Sequence, residues 1–189
     1  METVTLIQKR NSVPVLREPA PNEEERRDIF EAALRAPDHA RLRPWRFQII
    51  EGDAREELGK KMASAALKAD PNLTQSQIDK LLKSPLRAPL VVIASAKLEH
   101  HPKVPEIEQL LSTGAAVTQL QLANEALGYS SIWRTGSIVY NRYFMDSIGL
   151  MDNEKIIGMI YLGTASSEKK KLPKNNIEEF FESWPDGKF

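Results

Sequence analysis

From Glu106 to Leu127 the chain carries apolar or small residues nearly all round a helical wheel: Ile107, Leu110, Leu111, Gly114, Ala115, Ala116, Val117, Leu120, Leu122, Ala123, Ala126 and Leu127. A helix without a wholly polar side must be covered over most of its surface, so the rest of the fold has to be arranged around it. Gly114-Ala115-Ala116 allows another backbone to approach closely, either from the same chain or across a dimer interface. Burial between subunits is the preferred reading. Gly128 is a natural terminator.

The covering elements can be read on both sides of that helix. Leu90 to Ala96 is a short apolar run after Pro89, which suits a strand covered on both faces. Phe47 and Ile49 alternate with polar neighbours, as in a half-buried strand, and Ser131 to Trp133 and Lys155 to Leu162 read as further strands. Helices are expected over Thr3 to Lys9, from Asn22 onward, after Asp53, after Thr74, and over Asn141 to Ile148 with Gly149 closing the last. Asn22 with Glu25, Asp53 with Glu56 and Thr74 with Gln77 have capping-box spacing, and Glu23 to Glu25 favour the positive end of their helix. Pro19-Ala-Pro21 is an extended connector. Strands separated by helices, with several connections too long for hairpins, predict an α+β fold: a mixed, mainly antiparallel sheet flanked by helices.

At 189 residues and 41% hydrophobic content the chain can bury a sizeable core, and a single domain is expected. Lys+Arg and Asp+Glu balance at 26 each, so no overall field draws it to nucleic acid or an acidic membrane, and any cationic site must be local. The absence of cysteine excludes disulfides, thiolate zinc sites, iron–sulfur ligation and cysteine nucleophiles. The N-terminal residues lack a basic start followed by an apolar segment, and no apolar run reaches bilayer length, so a cytoplasmic protein is expected. His100 and His101 are adjacent and precede Pro102, which points them apart on a surface turn and argues against metal binding. There is no His-Glu-x-x-His, no phosphate loop and no Gly-x-Ser-x-Gly elbow.

Chemistry concentrates in three places. Arg35-Ala-Pro-Asp-His39-Ala-Arg41-Leu-Arg43-Pro44-Trp45 joins a helix to a strand, and Pro37 and Pro44 make Ala36 to Pro44 an ordered, largely non-helical loop. It reads either as an arginine-rich surface loop with Trp45 plugging the core, or as donors set round something flat and negative. Arg10-Asn11-Ser12 follows the first helix, and Trp133-Arg134-Thr135-Gly136 follows a strand. Each combines an arginine with short donors, the parts that a flavin mononucleotide needs at its phosphate and at the ring edge where reduction builds negative charge. Taken singly, each is equally explained as a helix or turn closure.

The order of these groups, together with Gly128-Tyr-Ser-Ser-Ile-Trp-Arg-Thr-Gly136 and Gly158-Met-Ile-Tyr-Leu-Gly163, resembles the nitroreductase family of FMN-dependent oxidoreductases, in particular its short bacterial branch. The resemblance runs from Thr3 to about Thr164. It implies an intertwined homodimer with FMN held non-covalently at the subunit interface. Arg10, Asn11 and Ser12 would meet the phosphate, ribityl chain or pyrimidine edge; Arg35 and His39 would add contacts from the partner subunit; Trp133, Arg134 and Thr135 would line the ring and its tail. Two departures stand out: the family's usual Arg-Arg-Ser start has Asn11 in the middle, and its Gln-Pro-Trp is Arg43-Pro44-Trp45 here.

The implied activity is transfer of hydride from NADH or NADPH to FMN and then of electrons to a small-molecule acceptor such as a nitroaromatic or quinone. It requires no catalytic acid, base, nucleophile or metal from the protein. The alternatives are the same scaffold used for dehydrogenation, dehalogenation or flavin fragmentation, or a non-catalytic flavin-binding protein. Lys169 to Lys171 are expected to be a solvated run on the tail, and the tail after about residue 165, with Phe180, Phe181, Trp184 and Phe189, to be a docking arm.

Overall fold

The computed structural model describes residues 2–185 and 187; Phe189 of the expected arm lies outside them. Helix α1 (Thr3–Lys9) buries only Leu6, and the two-residue strand β1 (Leu16–Arg17) follows. Asn22 then starts α2 (Glu23–Ala33) through a complete capping box: the Glu25 amide donates to Asn22 Oδ1 at 3.0 Å and the Asn22 amide to Glu25 Oε2 at 2.8 Å. Arg35 sits just beyond the end of that helix. Strand β2 (Trp45–Glu51) leads into α3 (Ala54–Ala69), where the expected Asp53 cap does not form. Asp53 already has helical backbone angles (φ −68°, ψ −21°), and a capping side chain reaches its amide only from an extended backbone. Thr74 does cap α4 (Gln75–Lys83) with Gln77 as its reciprocal partner.

The remaining elements are β3 (Leu90–Lys97), α5 (Glu106–Ala126), β4 (Ser130–Arg134), α6 (Arg142–Ser147) and β5 (Glu154–Ala165). β5 is the hub of the five-stranded sheet: it pairs with β3, β4 and β1, and β2 adds on beyond β3. Every ladder is antiparallel; Ser12 and Ser131 form one isolated parallel bridge.

Period-two alternation in the two central strands divides the interior into two cores. Val91, Ile93, Met159 and Tyr161 pack with Leu58 and Met62 of α3 and Phe144 of α6. Leu90, Val92, Ile160 and Leu162 pack with Ile29 and Ala33 of α2 and Val117 and Leu120 of α5. All seven residues Leu90 to Ala96 are buried, which is the burial on both faces that their unbroken apolar run predicts. Ile49 departs from its expected burial and is 48% exposed, because the helix layer that covers Trp45 and Phe47 does not extend over it.

Helix α5 also differs from its wheel. The face turned to the sheet is buried and includes polar Gln109, Thr113, Gln121 and Asn124, while apolar Ile107 and Leu111 point outward, 58% and 65% exposed. Val4 and Ile7 of α1 and Phe180, Phe181 and Trp184 of the tail are exposed as well. Among the described residues no helix is long and apolar enough to cross a membrane, and no group of His, Asp and Glu could hold a metal ion.

Candidate active site

The segment after α1 is laid alongside β4 by backbone contacts. Ser12 bridges Ser131, the Val13 amide donates to Ser131 O at 3.0 Å, and Arg134 Nη2 donates to Pro14 O at 2.9 Å. Residues more than a hundred positions apart are thereby brought together, with Arg10 and Ser12 near the start of β4 and Arg134 and Thr135 at its end. Arg10 Nη1 donates to Ser12 Oγ at 3.4 Å, and the Arg10 side chain makes no other hydrogen bond among the described residues. Asn11 Nδ2 donates to Lys170 O at 2.6 Å, which carries the lysine run to the same place. Lys169 pairs with Glu125, whose side chain is only 9% exposed. The three lysines are exposed, as expected of a solvated run, but a glutamate at the end of α5, invisible to local sequence reading, anchors the first of them.

Trp133 and Arg134 leave β4 on opposite faces, as adjacent strand residues must. Trp133 lies on the α5 side over Gly158, and its Nε1 donates to Ile157 O at 3.2 Å. A Cβ on Gly158 would collide with the indole, so the glycine there provides space rather than conformational freedom. Arg134 lies on the other face, its guanidinium 5.3 Å from the centre of the Tyr161 ring. Its Nε is buried without a hydrogen-bond partner among the described residues. Desolvation pulls the Arg134 pKa below the ordinary arginine value, against an opposing contribution from Tyr161. Burial pushes the Tyr161 phenol up, although Ser84 Oγ lies 3.1 Å from its hydroxyl.

A cavity of about 550 Å³ opens beside Arg134. Met62, Ala66, Leu73, Leu81, Ile138 and Met159 give it apolar walls, and Arg134, Thr135, Gly136, Ser137, Lys80 and Gln77 give it polar ones. Apolar walls with a few convergent donors are the usual make-up of a small-molecule site. Thr135 and Gly136 are exposed at its mouth, and Gly136 has φ 114°, a conformation that a side chain would strain.

Arg35 and His39 are elsewhere. Their loop is ordered and mostly non-helical, with one 3-10 turn at His39–Arg41, and it is fastened to α5: Ser112 Oγ donates to Pro37 O at 2.8 Å and Gln119 Nε2 to Arg35 O at 3.4 Å. His39 Nδ1 is 2.6 Å from Glu108 Oε2. Gln121, in the same helix, donates to Ser131 Oγ at 3.0 Å. Between Glu108 and Gln121 lies about 20 Å of helix rise. One chain therefore assembles Arg10, Asn11, Ser12, Arg134 and Thr135 round β4, sets His39 at the far end of α5, and sets Arg35 at Gln119, nearly level with Gln121 but on the opposite side of that helix.

The model of the nitroreductase family matches residues 7–164. This chain belongs to that family. The protein named "Putative NAD(P)H nitroreductase YdjA" in Escherichia coli strain K12 is 38% identical over 164 residues, which cover 87% of this chain and 88% of the relative. A nitroreductase-like family protein from Bacillus cereus superposes with a TM-score of 0.84 at 21% identity, covering 98% of this chain and 97% of its own. A crystal structure described as "a putative nitroreductase in complex with fmn", from Desulfovibrio desulfuricans, superposes at 0.75 with 20% identity and covers 98% and 99%. All eight residues singled out from the sequence lie inside the matched nitroreductase span; Lys169 to Lys171 and the exposed aromatic tail lie beyond it.

Proposed function

We propose that the chain is an FMN-dependent oxidoreductase in which NADH or NADPH delivers hydride to the bound flavin and a nitroaromatic or quinone-type acceptor then takes the electrons. The observation that carries the reading is the buried, unpartnered Nε of Arg134 beside an apolar cavity. A cationic donor held out of water with no internal partner costs stability unless a ligand satisfies it, and an electron-rich ring edge does so. The rest of the donor set fits the same molecule. Arg10, Ser12 and the neighbouring lysine run make a positive pole, and about 10 Å of strand separates Ser131 from Arg134, a gap of the order that a ribityl chain bridges.

In this reading Arg10 and Ser12 would hold the phosphate of FMN, Asn11 positions the tail at Lys170, and Arg134 and Thr135 would hold the ring beside the apolar cavity. FMN supplies the hydride-accepting and electron-donating chemistry. Arg134 adds a fixed positive charge in a water-poor setting, where it acts more strongly than in solvent. Trp133 supports β4 from behind through Gly158. Arg35 and His39 reach a flavin only across a second copy of the chain, because their own α5 separates them from β4. The outward apolar residues Ile107, Leu111, Val4 and Ile7 and the aromatic tail offer the cover for such a homodimer.

The purified protein is expected to show flavin absorption and to oxidise NADH or NADPH when an acceptor such as a quinone is present. Colourless protein that cannot be loaded with FMN, or flavin-loaded protein that oxidises neither nucleotide, would overturn the proposal.

A further inference from the structure

The loop between α2 and β2 contains the three non-glycine residues with positive φ among the described residues: Ala40 at 59°, Arg41 at 56° and Arg43 at 50°. Each such residue costs roughly 1–3 kcal/mol and persists where its surroundings enforce it. Enforcement is visible here. Asp38 accepts from the Arg43 amide at 2.7 Å through Oδ2 and from the Arg41 amide at 3.4 Å through its carbonyl oxygen, and Arg46 Nη1 donates to Arg43 O at 2.9 Å and Trp45 O at 2.8 Å. The fold thus commits a carboxylate and an arginine to fixing the backbone, while the Arg41 and Arg43 side chains remain exposed and make no hydrogen bond or ion pair among the described residues. With Arg35 they line a recess of about 350 Å³ that also includes Leu34, Asp38 and Trp45 and shares no residue with the cavity at Arg134.

Three arginines share the lining of this recess with one carboxylate, Asp38, which accepts from a backbone amide. The arrangement suits a compact dianion that comes and goes. A phosphate monoester carries a charge of about −1.5 to −2 near neutral pH, and the planar fork of arginine matches its oxygens. We infer that Arg41 and Arg43 seat the 2′-phosphate of NADPH, so that the enzyme discriminates in favour of NADPH over NADH. The inference rests on the oxidoreductase reading for its substrate class; the seat itself rests on the loop.

The test uses the FMN-loaded protein and two probes, adenosine 2′,5′-bisphosphate and adenosine 5′-monophosphate, titrated calorimetrically. Wild type is expected to bind the bisphosphate at least about tenfold more tightly, the loss of a charge-assisted contact being of that size. Arg41→Gln/Arg43→Gln should abolish the difference, whereas Arg17→Gln/Arg27→Gln, which removes the same charge elsewhere, should keep it. Flavin absorption and melting temperature report folding, and the single variants Arg41→Gln and Arg43→Gln decide the matter if the double variant does not fold. In turnover, the double variant should raise KM for NADPH at least about tenfold and leave kcat and the KM for NADH unchanged. Equal affinity for the two probes in wild type, or wild-type affinity in the folded double variant or in both single variants, overturns the seat. Failure of wild type to oxidise either nucleotide overturns the oxidoreductase reading instead, and the calorimetry still decides the seat.

Discussion

Arg134 and Arg41 carry the same guanidinium in opposite circumstances. At the end of β4 the backbone is regular, paired on β5, and the strain is electrostatic: a partly buried cation with one donor left without a partner. In the loop ahead of β2 the side chains are solvated and the strain is conformational, in left-handed residues either side of Leu42 that Asp38 and Arg46 hold in place. An unsatisfied buried donor costs about 1–3 kcal/mol, as does a strained residue. The first cost is relieved by a ligand that stays; the second keeps free charges in place for one that exchanges. The proposed resident cofactor at β4 and the inferred exchanging substrate at the loop rest on that difference.

The largest expected effect tests the packing that holds β4. Gly158→Ala should destabilise the protein by about 3 kcal/mol in urea unfolding, because its Cβ would run into Trp133. Adding Trp133→Ala should recover part of that loss; additive losses would show that the close approach is not the cause. Next, Arg10→Ala should weaken FMN retention at least about tenfold by fluorescence titration, and Arg41→Ala less than about twofold. Equal effects would erase the distinction between the two regions. Asp38→Ala should cost about 1 kcal/mol by releasing the Arg43 amide and leave FMN retention unchanged. A loss of flavin in that variant would show that the loop backbone also positions Arg35 and His39 on the flavin held across the dimer.

The smallest effect is on pH dependence. Burial raises the pKa of Tyr161, so its neutral form is favoured by folding. The stability this represents is complete below the ordinary phenol value of about 10 and is lost as pH rises through the higher folded value. Tyr161→Phe should remove that part of the alkaline loss of unfolding free energy. An unchanged alkaline limb would assign the loss to other groups.

How far the sequence could be read depended on the distance over which each signal acts. Asn22 with Glu25 and Thr74 with Gln77 act within one helical turn and were legible; Asp53 with Glu56 has the same spacing and fails, because the backbone at Asp53 is already helical. The unbroken apolar run of β3 announced burial on both faces, but nothing local to Ile49 said that the helix layer stops short of it. Of the candidate site, the residue types and their order were legible. Lys169 and Glu125 were not, since their pairing joins the tail to the end of α5, nor were Tyr161 and Ser84, which meet across the core.

By itself the sequence determined the helices, the strands and the family, because capping, periodicity and motif order are properties of neighbouring residues. Only the tertiary structure decided which residues share a site. Arg134 meets Pro14 and Asn11 meets Lys170 at sequence separations of 120 and 159, and α5 keeps Arg35 and His39 away from both. Such contacts depend on how the sheet is ordered and on where one long helix lies, and no local preference encodes either.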